Sequence, residues 1–118
     1  AQTDLAFIYK DQGKFAAAEA VMKATLEMNK RLHKGDHDEV VVVMRHLAML
    51  YQKMGKPAQA ESFHKNSLAM CRRLHSGAHA EVADILNMYG HFCLSEGRYV
   101  AAQGLCTQAA SMRQRLFK

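Results

Sequence analysis

The chain repeats itself. At an offset of 42 residues, Leu5, Ala6, Tyr9, Gly13, Lys14, Ala18 and Glu19 meet Leu47, Ala48, Tyr51, Gly55, Lys56, Ala60 and Glu61. The match runs on without a gap through Leu26, Met28, Arg31, Leu32, His33, Gly35, His37, Glu39 and Val40, which meet Leu68, Met70, Arg73, Leu74, His75, Gly77, His79, Glu81 and Val82. A second step of 42 reaches Gly90, Gly97, Arg98, Ala102, Met112, Arg115 and Leu116, with Tyr89 and Cys93 where the first two units have Leu and Tyr. A period of this length is the mark of a stacked array, in which each unit is too small to bury its own apolar face and must lean on its neighbours.

The content of one unit is helical. Met44, Leu47, Ala48, Leu50, Tyr51 and Met54 follow helical rather than alternating spacing, which predicts a first helix over 43–54, ended by Gly55. Pro57 suits the first turn of a second helix because its missing N–H is not needed there, and that helix runs through Ala60, Phe63, Ser67, Leu68 and Cys71 to Leu74. We refer to the two as helix A and helix B. Composition agrees: the 118 residues are 49% hydrophobic with seven glycines and one proline, and β-branched residues are few outside Val40–Val43. Such a chain can bury a core, so disorder is excluded. No apolar run approaches the roughly 18 residues a membrane span needs, and the N-terminus has no positively charged segment followed by an apolar one, so neither a membrane segment nor a signal peptide is expected in this sequence.

The spacing resembles the tetratricopeptide repeat (TPR) family, whose pattern W-x2-L-G-x2-Y followed by A-x3-F fits Met44-x2-Leu47-Ala48-x2-Tyr51 and Ala60-x3-His64. The small residues Ala6, Ala48 and Gly90 in helix A, and Ala18, Ala60 and Ala102 in helix B, would let backbones approach closely. The usual unit of about 34 residues closes with a proline, whereas Lys30, Arg72 and Gln114 stand there and helix B is longer. A long helix B followed by H-x-G-x-H-x-E-V is similar to the 42-residue subtype typified by kinesin light chains. HEAT repeats share the period but lack the L-A-x-x-Y-x-x-x-G-x-F-x-x-A-E string of Leu5 to Glu19. The resemblance implies an all-α, right-handed superhelix of about three helical hairpins. The expected units are residues 1–38, 39–80 and 81–118, cut from a longer solenoid because no polar capping helix is present.

Several constellations could carry chemistry. His33 with His37, and His75 with His79, form H-x3-H pairs, but Gly35 and Gly77 lie inside them, so the pairs belong to loops and a capping or packing role is expected instead of metal. Cys71, Cys93 and Cys106 cannot pair completely and show no C-x-x-C spacing, which points to free thiols in the cytoplasm. Cys93 and Cys106 fall at core positions of the repeat, as does His64, for which a buried, hydrogen-bonded ring is expected. There is no Gly-rich phosphate loop and no catalytic constellation, so neither enzyme activity nor a cofactor is expected.

The resemblance implies a binding surface. In TPR arrays the stripe of helix A that does not carry the core residues faces a concave groove for partner peptides. By position this stripe is Thr3, Phe7 and Lys10, then Val42, Arg45, Met49 and Gln52, then Asp84, Asn87, His91 and Leu94, with Asp4, His46, Lys53 and Met88 beside them. Kinesin-light-chain-like repeats carry an Asn pair before the Leu of helix A, of which only Asn87 matches. The carboxylate clamp of chaperone-binding members is not reproduced either. Exposed Met, Phe and Leu on one stripe point to a partner surface, and the basic residues favour segments carrying Asp or Glu. The expected function is a non-catalytic interaction scaffold binding a peptide or helical segment of a partner protein. The alternative is self-association through open solenoid ends. RNA binding is disfavoured: the net charge of +5 is spread out, and Thr3, Arg45 and Asn87, then Phe7, Met49 and His91, form no recurring base-reading code.

Overall fold

The computed structural model describes residues 14–75, 77 and 79–116. All regular structure among them is helical: α1 (Phe15–Leu32), α2 (Asp38–Lys53), α3 (Pro57–Leu74), α4 (Ala80–Ser95) and α5 (Tyr99–Leu116). Phe15, Pro57 and Tyr99 open α1, α3 and α5 at steps of 42 residues, and Asp38 and Ala80 open α2 and α4 at the same step. In the language of the repeat, α2 and α4 are A helices and α1, α3 and α5 are B helices.

The A helices begin earlier than the apolar pattern indicates, at Asp38 instead of residue 43, because the loop histidines cap them. His37 Nδ1 accepts the backbone N–H of Glu39 at 3.1 Å, and His79 Nδ1 accepts that of Glu81 at 3.2 Å. Each satisfies one of the orphan donors of a helix N-terminus, and Asp38, Glu39 and Glu81 add negative charge to the first turns. Gly55 and Gly97, with φ of +73° and +77°, turn the chain out of α2 and α4 in the left-handed region that glycine enters without strain.

Burial separates two layers. The A helix α2 buries Val40, Val41, Val43, Met44, Leu47, Ala48, Leu50 and Tyr51, residues spread around much of its circumference, because it packs between α1 and α3. The B helix α3 buries only Ala60, His64, Ser67 and Cys71, one stripe at i, i+4, i+7 and i+11. Within a hairpin α2 packs on α3 and α4 on α5, while α1 on α2 and α3 on α4 join successive hairpins. The small residues sit at these crossings, with Ala18, Ala48 and Ala60 inaccessible to solvent. Gly90 is needed at the α4–α5 crossing, since a Cβ there would lie 2.6 Å from Cys106 Sγ.

His64 departs from the expectation of a hydrogen-bonded core histidine. It is 1% exposed, stacks on Tyr89 with centroids 5.5 Å apart, meets Phe92 at 5.2 Å with the rings tilted by 41°, and its Nε2 has no hydrogen-bond partner among the described residues. Burial pushes its pKa down to about 4, so the ring is neutral and serves as an aromatic packing element.

Candidate functional site

The groove stripe of the second and third units can be placed; Thr3, Asp4, Phe7 and Lys10 lie outside the described residues. Val42, Arg45, His46 and Met49 are half-buried on α2, and Asn87 and Met88 are half-buried on α4. Gln52, Lys53, Asp84, His91 and Leu94 are exposed. The structure brings the two A helices together through this stripe, since Arg45 Nη2 lies 3.5 Å from Met88 Sδ. Arg45 makes no ion pair among the described residues, and its Nε is buried without a hydrogen-bond partner. Among the described residues this guanidinium meets only a soft thioether, which leaves its other terminal N–H groups as donors for another molecule.

Other stripe residues go elsewhere. Val42 lines a hollow of about 260 Å³ with Val43, Asn29, Asp38 and Glu39, where the end of α1 meets the start of α2. Asp84 accepts from Arg113 Nη2 of α5 at 3.0 Å, which offsets its charge. His91 and Leu94 line a separate, mainly apolar hollow of about 250 Å³ with Tyr99, Ala102, Gln103 and Cys106 of α5. Leu94 is 51% exposed there, and the adjoining Tyr99 and Val100 are 68% and 87% exposed. Tyr99 and Val100 lie outside the groove stripe expected from the sequence; the one signal for them was that Phe15 and Pro57 occupy the positions equivalent to Tyr99.

The remaining candidates for chemistry already have partners within the fold. His33, His37 and Glu39 gather ligand atoms within 4.8 Å of one another, yet the two imidazoles stack nearly parallel with centroids 3.6 Å apart. An ion placed between them would lie well out of both ring planes, where an imidazole nitrogen offers no lone pair. His37 Nδ1 is already the helix cap, and His33 Nε2 pairs with Glu39 at 3.2 Å. One unit later His75 stacks on His79 and pairs instead with Asp38 at 2.7 Å. Burial pushes the Cys71 thiol up to about 11, reinforced by the Glu81 and Asp38 carboxylates, and also raises Cys93, which is the reverse of an activated nucleophile.

The profile of the tetratricopeptide repeat family matches residues 1–73 and again residues 42–115, two registers displaced by nearly one 42-residue unit. The chain belongs to the tetratricopeptide repeat family. Its backbone is similar to BtubC (BKLC) from P. vanneervenii, with a TM-score of 0.90 and 26% identity over 98% of this chain and 46% of that one. It is also similar to the nearly identical TPR-like repeats of a putative kinesin light chain from Podosopora anserina, with a TM-score of 0.87 and 16% identity over 99% of this chain and 56% of that one. No curated protein is a significant match to the sequence. The TPR chain therefore spans about half the length of the solved structures it resembles. The solenoid is of the kinesin-light-chain-like TPR form, and none of its described helices is long and apolar enough to cross a membrane.

Proposed function

We propose that this TPR array is a non-catalytic scaffold that holds a segment of a partner protein across its A helices, and that Arg45 is the polar anchor of the site. Tetratricopeptide repeats generally mediate protein–protein interaction, which supports the class. The observation that carries the finer reading is the contact between Arg45 and Met88: a half-buried guanidinium without a carboxylate partner among the described residues, flanked by the adaptable side chains of Met49 and Met88. Such a surface suits a segment with apolar side chains around an Asp or Glu, because a carboxylate can take two parallel N–H bonds from one guanidinium. Raised thiol pKa values and neutral His64 support the absence of chemistry. The free cysteines support a reducing, cytoplasmic setting.

The test is selection of peptides from a random display library on the immobilised chain, followed by affinity measurement with purified peptide. Selected sequences should be enriched in acidic residues beside apolar ones, and Arg45→Ala, Met49→Ala and Asn87→Ala should each weaken them. Peptides that bind all three variants normally would refute the site.

A second reading, self-association, rests on a different observation. The hollow beside Leu94 and Tyr99 leaves apolar surface at the outer edge of α4 and α5. Sedimentation at increasing concentration separates the readings, since self-association raises the mean mass and Tyr99→Lys should reverse it.

A further inference from the structure

The outer layer carries a second, unrelated site. Between α3 and α5 lies a crevice of about 320 Å³ whose rim holds the guanidiniums of Arg72 and Arg115 and whose lining contains no carboxylate among the described residues. Its walls include Thr107 and Ser111, whose side chains carry hydroxyls, and Gln108 Oε1 accepts from Arg72 Nη2 at 3.1 Å, which ties that arginine to the far wall. The floor is apolar, formed by buried Leu86 and Met112.

Comparison with the preceding unit shows what has changed. There the residue equivalent to Arg115 is Arg73, and it is neutralised by Asp36 through two bonds of 2.6 and 3.0 Å. The position equivalent to Asp36 is Ala78, so the next unit has kept the arginine and lost its acid. Arg115 accordingly makes no hydrogen bond or ion pair among the described residues. The same step replaces Ala69 by Ser111 and so adds a hydroxyl donor to the wall.

We propose that this crevice binds the phosphoryl group of a phosphorylated side chain on a partner protein. Two guanidiniums and two hydroxyls supply charge-assisted donors to the oxygens of a phosphate monoester, which is close to a dianion at neutral pH. The Leu86 and Met112 floor accepts the carbon side of the ester. A nucleic acid is a poorer fit, because the flanking Arg73 and Arg113 are already paired with Asp36 and Asp84. Around the crevice, Arg72 and Arg115 are the cations without a carboxylate partner among the described residues, whereas a polyanion is bound by a longer row of such charges. The site is independent of the A-helix groove.

The test is calorimetric titration of the 118-residue chain with phenyl phosphate, inorganic phosphate, a phosphoserine peptide and a short single-stranded oligonucleotide. Phenyl phosphate and the phosphopeptide should bind saturably, and Arg115→Gln or Arg72→Gln should weaken both by about tenfold or more. The decisive variant is Ser111→Asp, which puts a carboxylate into the wall of the crevice and should suppress binding with the helical circular dichroism unchanged. No saturable binding, or binding indifferent to Ser111→Asp, would overturn the proposal. Inorganic phosphate binding as tightly as phenyl phosphate would overturn the assignment to an ester. An oligonucleotide binding more tightly than the phosphopeptide would overturn the assignment to protein.

Discussion

The phenol of Tyr89 donates to Glu61 at 3.2 Å, and the phenol of Tyr51 donates to Glu19 at 2.5 Å, although the two tyrosines are not equivalent in the repeat. Glu19 and Glu61 are 42 residues apart, but Tyr51 corresponds to Cys93, and Tyr89 corresponds to Leu47. The tyrosine has moved back one helical turn and still reaches the same acid on the preceding B helix. These bonds hold both carboxyls in the charged form: Tyr51 lowers the pKa of Glu19, while Arg98 and Tyr89 lower that of Glu61 against its burial. Tyr89→Phe should therefore destabilise the fold by about 1 kcal/mol in urea denaturation, and Tyr51→Phe by a similar amount. A neutral result for both would mean that the bonds do not join the hairpins.

Acid should loosen the repeat interface through His64. Its folded pKa of about 4 lies below the ordinary 6.5, so the unfolded chain binds the proton more readily. The contribution is fully present above about pH 6.5 and is lost as the pH falls toward 4, amounting to at most about 3 kcal/mol. His64→Met, which installs the residue that Met22 supplies one unit earlier, should flatten stability over that window relative to wild type. Parallel pH profiles would show that His64 is not desolvated as described.

Two crossings test the packing. Ala60 is fully buried, and Ala60→Leu should cost about 1 to 3 kcal/mol by overpacking. Gly90→Ala should be more costly by about 1 kcal/mol in wild type than in a Cys106→Ala background, because Sγ occupies the space a Cβ needs. Additive effects in that double-mutant cycle would separate the two residues.

The histidine loops should behave as caps. His79→Ala should cost about 1 kcal/mol, and His79→Asp should restore most of it, since aspartate accepts from the same N–H groups. Zinc titrated into the chain should give no saturable heat. Tight binding lost in His37→Ala would make the stacked pair a metal site.

Helix positions were legible in the sequence to a fine degree, because the 42-residue period carries the start of every B helix from Phe15 to Pro57 to Tyr99. The A-helix starts were legible only in part: a capping or packing role was expected of His37 and His79, but no apolar pattern records that their ring nitrogens start the helices ahead of residue 43 and its equivalent. The groove was legible only as a stripe. Periodicity says that residues 42, 45, 49 and 84, 87, 91 lie on one helix face, but not that Arg45 reaches Met88, that Asp84 turns to Arg113, or that Leu94 turns toward Tyr99. Those outcomes depend on neighbouring helices whose side chains differ from unit to unit.

The central claim, that partner segments lie across the A helices at Arg45, is tested most directly by mapping amide chemical-shift changes when a library-selected peptide is titrated into isotope-labelled chain. The account predicts changes concentrated at Arg45, Met49, Asn87 and Met88, weakened by added salt and by Arg45→Glu. Changes concentrated on the outer faces of α3 and α5, with Arg45→Glu and Met49→Ala binding normally, would contradict it.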